Sequence, residues 1–240
     1  MKRLGNLRHC LSLGTLLLGL SVLAITPAKG QCPSAAGECA LTTGGCPSCK
    51  TTGFKNEDFY TGGKFDAVKA KEAYFAMFQR LGYPIPPRLK TADMWVSDFG
   101  LGDFVHVGMA GIFWYNDKDT NVFGHEIFLL PGQMIVEHGH EQAGGVAPKR
   151  EAWQVRNGWI ATFGEGDDTS ASAPVKLPES QAKFITVKHW NKVCPGEVDS
   201  LKRAAAKHFM IAGPEGAVVT EYGTFHDNAG LRFTDPGVKF

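Results

Sequence analysis

The chain has 240 residues, 43% hydrophobic and 20% charged, the make-up of a globular protein and not of a disordered or fibrous one. Its formal charge is +1, a surplus that rests on four basic residues before position 31 (Lys2, Arg3, Arg8, Lys29). Residues 31–240 carry 21 Lys and Arg against 24 Asp and Glu, a net of −3, so no basic excess is left to neutralise phosphates and nucleic acid is not an expected partner.

Residues 1–30 read as a signal peptide. Lys2, Arg3 and Arg8 precede an uncharged apolar run from Leu11 to Ile25, and Ala28-Lys29-Gly30 offers small residues where a signal peptidase reads. The run spans about 22 Å as a helix, short of the ~30 Å hydrocarbon core, so cleavage near Gly30 is expected rather than a stable membrane anchor. The product would be secreted or periplasmic. Residues 31–53 form a Cys-rich, flexible segment in which Cys32, Cys39, Cys46 and Cys49 lie among Gly, Pro, Ser and Thr. Two local disulfides are the plain reading there, with three connectivities open. A zinc knot competes poorly, since there is one Cys-x-x-Cys and no nearby histidine; Cys194 is left with its partner open.

Residues 54–94 are expected to form a helical arm. Asp66 can cap a helix over Ala67–Leu81, which Gly82, Pro84, Pro86 and Pro87 end. Lys69, Glu72 and Gln79 mark its polar side; Ala70, Tyr74, Phe75, Met77, Phe78 and Leu81 make the broad apolar side that packs on something larger. From about Trp95 to the last residue the texture is that of short strands. Segments 103–107, 111–115, 126–130, 134–140, 151–163, 184–190, 208–212 and 217–222 are rich in Val, Ile, Phe, Trp and Thr, with Gly, Pro, Asn and Asp between them. That pattern predicts a sandwich or barrel over 95–240, with 165–180 as a surface loop.

The informative run is Gly132-Gln-Met-Ile-Val-Glu-His138-Gly-His140. His138 and His140 are two apart, so on a strand both imidazoles leave the same face, a good start for a borderline divalent metal. Glu151 heads the next strand, with Trp153 and Val155 on its face. His208 opens a later strand and can close the site from across the barrel; His189, at another strand end, is its rival. His106, His125 and His226 read as structural or supporting residues.

Gly132-x5-His138-x-His140 followed by Glu151-x6-Gly158 resembles the first metal motif of the cupin superfamily. The ten-residue gap Glu141–Arg150 is longer than most cupins have. Together with Lys149-Arg150-Glu151, the passage from His208 to Glu221, and Phe233-Thr-Asp-Pro236, it is similar to the D-lyxose isomerase-like branch. The resemblance covers roughly 54–240. It implies an all-β, double-stranded β-helix (jelly-roll) barrel carrying the N-terminal helix and the Cys-rich extension. It also implies one divalent metal, manganese by family habit with Fe, Co, Ni or Zn as alternatives, held by His138, His140, Glu151 and His208.

By the same resemblance Lys149 and Glu221 serve proton movement, and the expected reaction is aldose–ketose isomerisation of a monosaccharide through an enediolate. Cupins often pair through sheet edges, so a homodimer is a further expectation. Around Glu151 the chain departs from the better-known isomerases, with Ala152-Trp-Gln-Val-Arg-Asn-Gly158 in place of an Asp-Ile-Ile-Asn-Arg-Gly type of sequence, and this leaves the sugar open. The same ligands would also serve a mononuclear iron dioxygenase or a non-catalytic exported sugar- or metal-binding module.

Overall fold

The computed structural model describes residues 53–240. The signal segment, its cleavage point and the four cysteines at 32–49 lie outside the described residues. Cys194, for which the sequence assigns no partner, is disulfide-bonded.

A short hairpin of β1 (Tyr60–Thr61) and β2 (Lys64–Phe65) leads into α1 (Ala67–Leu81). The helix starts where Asp66 accepts the backbone N–H groups of Val68 (3.1 Å) and Lys69 (3.2 Å). It stops where Gly82 turns left-handed (φ 65°), a conformation that a side chain would resist. Its buried face, Ala70, Ala73, Tyr74, Met77 and Phe78, is the apolar side expected from the sequence.

The remaining elements are β3 (Met94–Ser97), β4 (Met109–Asp117), β5 (Val122–Leu129), β6 (Met134–His140), β7 (Glu151–Gly164), β8 (His189–Val193), β9 (Val198–Ser200), β10 (His208–Gly223) and β11 (Leu231–Phe233). They form one curled antiparallel sheet in the order β11-β6-β10-β5-β4-β3, with β7 running along β10 and carrying β8 and β9 on its far side. This is the double-stranded β-helix that the sequence led us to expect. Period-two alternation sorts the side chains. Met109, Ile127, Leu129, Trp153, Val155, Met210 and Val219 fill the interior, while Ala110, Ile112, Phe128 and Val218 on the outer face meet α1. Each large side chain so buried contributes roughly 2–3 kcal/mol.

The two long strands bend together. β10 pairs with β6 through its first half and with β5 through its second, and β7 follows it throughout. At the corner a Cβ on Gly158 would lie 2.0 Å from the Gly216 carbonyl oxygen, and one on Gly216 would lie 2.7 Å from that of Leu129. Both glycines have positive φ (69° and 79°). No other residue lets two backbones approach so closely.

Three expectations about strands need correction. Segment 208–222 is one strand, not two, because the Gly-Pro-Glu-Gly stretch bends without leaving the sheet. Segment 103–107 is a turn: the Asp103 carbonyl accepts from His106 and Val107, and its carboxylate accepts from Asn56, His106 and Ser180. In segment 184–190 the strand begins only at His189, since the N–H groups of Thr186 and Val187 donate to the Glu137 carboxylate instead of to a neighbouring strand.

Candidate active site

β6 and β10 lie side by side with His138 opposite His208 in register. His138 and His140 both turn inward, and one donor atom from each of His138, His140 and His208 lies within 4.8 Å of the other two. Glu151, the first residue of β7, places Oε1 3.1 Å from His140 Nε2 and Oε2 3.2 Å from His208 Nε2. His189 is not in this group; its Nδ1 bonds the Asp167 carbonyl at 3.2 Å.

The ring orientations are fixed from behind. Nδ1 of His138 donates to the Val136 carbonyl (2.8 Å) and Nδ1 of His208 to that of Ala206 (2.9 Å), so in each neutral ring Nε2 is left as a bare lone pair. Burial holds both rings below the usual histidine range, and at His138 the neighbouring histidines add to it. Burial alone would raise Glu151, but the Lys149 ammonium beside it, its strongest opposing neighbour, holds the carboxyl well below the ordinary range. Neutral His208 Nε2 and ionised Glu151 Oε2 therefore face each other as two acceptors, and Oε2 has no hydrogen-bond partner. A cation resolves that opposition. Three imidazoles, two of them oriented by back-bonded Nδ1 atoms, and a carboxylate fit a divalent metal.

Beside this group lies a chain of charged contacts. Lys149 Nζ donates to Glu151 Oε1 (2.8 Å) and to Glu221 Oε1 (2.6 Å), and His125 Nδ1 donates to Glu221 Oε2 (2.9 Å). Burial would discharge Lys149, but Glu221 and Glu151 hold its pKa above the ordinary value, so it stays an ammonium. Its position comes from the backbone: Lys149 N–H donates to the His140 carbonyl and the Lys149 carbonyl accepts from Ala205. Neither Arg150 nor Arg232 pairs with Glu221; Arg232 meets Glu141 at 3.4 Å.

His208 and Glu221 are thirteen residues apart on one strand, yet both reach this site because β10 bends between them. The structure thus brings together all six residues named from the sequence. They line a cavity of about 60 Å³ whose other walls include Trp95, Phe113, Phe123, His125, Trp153 and His226. Sequence reasoning left Trp95 unremarked and set His125 and His226 aside. The available signal was Gly111 inside a strand: a Cβ there would lie 2.3 Å from His125 Nε2 and 2.7 Å from Trp95 Cζ2.

No family model matches the chain. A D-lyxose/D-mannose isomerase of Thermosediminibacter oceani is 30% identical over 176 residues, 73% of this chain and 94% of that protein. A D-lyxose ketol-isomerase of Cohnella laeviribosi is 30% identical over 171 residues, 71% of this chain and 91% of that one. Among solved structures, an Acinetobacter sp. DL28 L-ribose isomerase superposes with a TM-score of 0.53 at 13% identity, covering 68% of this chain and 89% of its own. The Cellulomonas parahominis L-ribose isomerase does so with 0.53 at 14%, over 70% and 90%. The structural likeness carries the fold, and the sequence relatives carry the lineage. The chain belongs to the D-lyxose isomerase family, sugar isomerases built on a cupin barrel.

Proposed function

We propose that this enzyme interconverts an aldose and a ketose by proton transfer between C1 and C2, using a divalent metal held by His138, His140, Glu151 and His208. The observation that supports the metal is the pair of opposed acceptors, His208 Nε2 and Glu151 Oε2, 3.2 Å apart. When bound, such an ion supplies a Lewis acid for the carbonyl and adjacent hydroxyl oxygens of an open-chain sugar. Manganese is the first choice, with Fe, Co, Ni and Zn as comparisons.

The rest falls to the chain's own side chains. Glu221 takes the proton from the carbon beside the carbonyl and returns it to the neighbouring carbon. Its carboxylate is aimed by two donors, Lys149 and His125, so it does not reorient during the transfer. Lys149, held charged, stabilises the negative oxygen that develops as the proton leaves and moves a proton between the two oxygens. The aromatic walls exclude bulk water, which strengthens each of these contacts.

The test is to incubate the metal-loaded protein in D2O with a panel of aldoses and ketoses, D-lyxose and D-mannose among them, and to read the recovered sugars by NMR. Interconversion with deuterium entering at C1 or C2 is expected. No interconversion of any sugar would overturn the reading. Glu221→Gln should keep its metal, measured by elemental analysis, while kcat falls by about 10³-fold; full turnover in that variant would remove Glu221 from the mechanism.

A further inference from the structure

On the outer side of β10, where Ile211 points away from the interior that Met210 fills, lies a groove of about 690 Å³. Gly132, Ile211, Gly213 and Pro214 line it together with the Pro174–Ser180 stretch that follows β7. None of its lining residues belongs to the active-site cavity.

Two observations say what crosses it. The described chain begins beside this groove: Asn56 donates to the Asp103 carboxylate (2.8 Å) and accepts from the Val105 N–H (3.0 Å), and Asp103 lines the groove and accepts from Ser180 (3.0 Å). Cys194 stands at the other side of the same face. It follows β8 directly, and since Val193 pairs with Ile160, continued register brings Cys194 level with Trp159. The Trp159 indole covers Gly213, where a Cβ would lie 2.3 Å from Cε2, and Trp159 shares one apolar cluster with Val175 and Leu177. Cys194 is disulfide-bonded, and it is the only cysteine from residue 53 onward. Its partner therefore precedes residue 53.

We propose that residues 32–52 lie along this groove and are locked there by a disulfide from one of Cys32, Cys39, Cys46 and Cys49 to Cys194. This rests on the export reading of residues 1–30, which removes Cys10, and not on the sugar chemistry. It leaves three cysteines in the segment, enough for one local disulfide and not for two.

Length and composition fit. Twenty-one residues reach about 70 Å when extended, more than the ~40 Å width of a domain of this size. The segment carries two charges, Glu38 and Lys50, among mostly small residues, and Leu41 is its one large apolar side chain. Such a chain suits a groove whose walls include Pro174, Val175, Leu177 and Pro214. Forming the bond takes two electrons and two protons from two thiols, by exchange with a disulfide donor that leaves as a dithiol. Export puts the chain where such donors act. The bond closes a loop of 145 residues or more, so it restricts the unfolded chain strongly.

The full chain, exported and purified without reductant, is digested under non-reducing conditions and mapped by mass spectrometry. A peptide from 32–52 joined to the Cys194 peptide is expected. Cys194 found as a free thiol, joined to Cys10, or joined to a second copy of the chain would overturn the proposal. Hydrogen exchange then reads the groove. Cys194→Ser should keep kcat and KM within about twofold, melt at least about 5 °C lower, and let the amides of Val175, Lys176 and Leu177 exchange at least about tenfold faster. Reductant added to the parent should reproduce the faster exchange, which decides the matter if the variant fails to fold. Unchanged exchange at these amides in both, with the link confirmed, would take the segment off the groove and overturn the docking.

Discussion

Two buried carboxylates fourteen residues apart show two ways of placing charge inside a barrel. Glu137, on the outward side of β6, accepts from the N–H groups of Thr186 (2.6 Å) and Val187 (3.0 Å) and from the hydroxyls of Thr186 and Thr234, with Lys207 Nζ 3.7 Å away. Nothing on it is left open. Gln133 is treated likewise, its amide shared among Tyr74, the Leu130 N–H and the Phe104 carbonyl. Glu151, on the inward side of the barrel, keeps one oxygen without a donor, and the cavity around it gathers three more unpaired ring nitrogens. Saturation is what a group that holds loops together needs; an open valence is what a group that holds a ligand needs.

The contrast can be broken by exchanging roles. Glu137→Ala strands two backbone N–H groups and should cost roughly 4 kcal/mol of unfolding free energy, read by urea titration of the metal-free protein. Glu151→Gln should instead lower metal affinity more than about 100-fold while costing the metal-free protein less than Glu137→Ala does. Equal losses of stability in the two variants would erase the distinction.

Acid gives the next largest effect. Burial, aided by Lys149, lowers the His226 pKa from 6.5 to about 4, and burial lowers His125 as well. The unfolded chain takes up these protons near 6.5 and the folded one does not, so stability is full above about 6.5 and falls as the pH drops toward 4. The loss at His226 is on the order of 2 kcal/mol. A melting temperature that stays flat from pH 8 to 4 would contradict neutral rings in the cavity. The smallest effect belongs to Thr234→Val, which removes one of several donors to Glu137 and should cost about 1 kcal/mol, with kcat unchanged.

Much of this was legible in the chain. The helix announced both its ends, with Asp66 and Gly82 as caps. His138 and His140 announced a shared face by their spacing. Glu151 and His208 followed from strand alternation and from family likeness. What could not be read was any interaction in which a side chain displaces a strand partner. Thr186 and Val187 look like strand residues by composition, and only the distant Glu137 makes them otherwise. Lone histidines such as His125 and His226 carry no spacing signal. Their place on the cavity wall depends on Gly111 and Asn116, which lie on another strand.

The bend in β10 also bears on how the molecule assembles. Drawn straight, thirteen residues of strand would separate His208 and Glu221 by about 43 Å. No hairpin on its own contains the site, and no half of the sheet does either. The constellation exists only after the long ribbon of β7 and β10 has folded over at Gly158 and Gly216, a set of non-local contacts that forms slowly. A ligand that binds there therefore senses closure of the barrel as a whole. Amide hydrogens on both halves of β10 should gain protection together when it binds, rather than one end before the other.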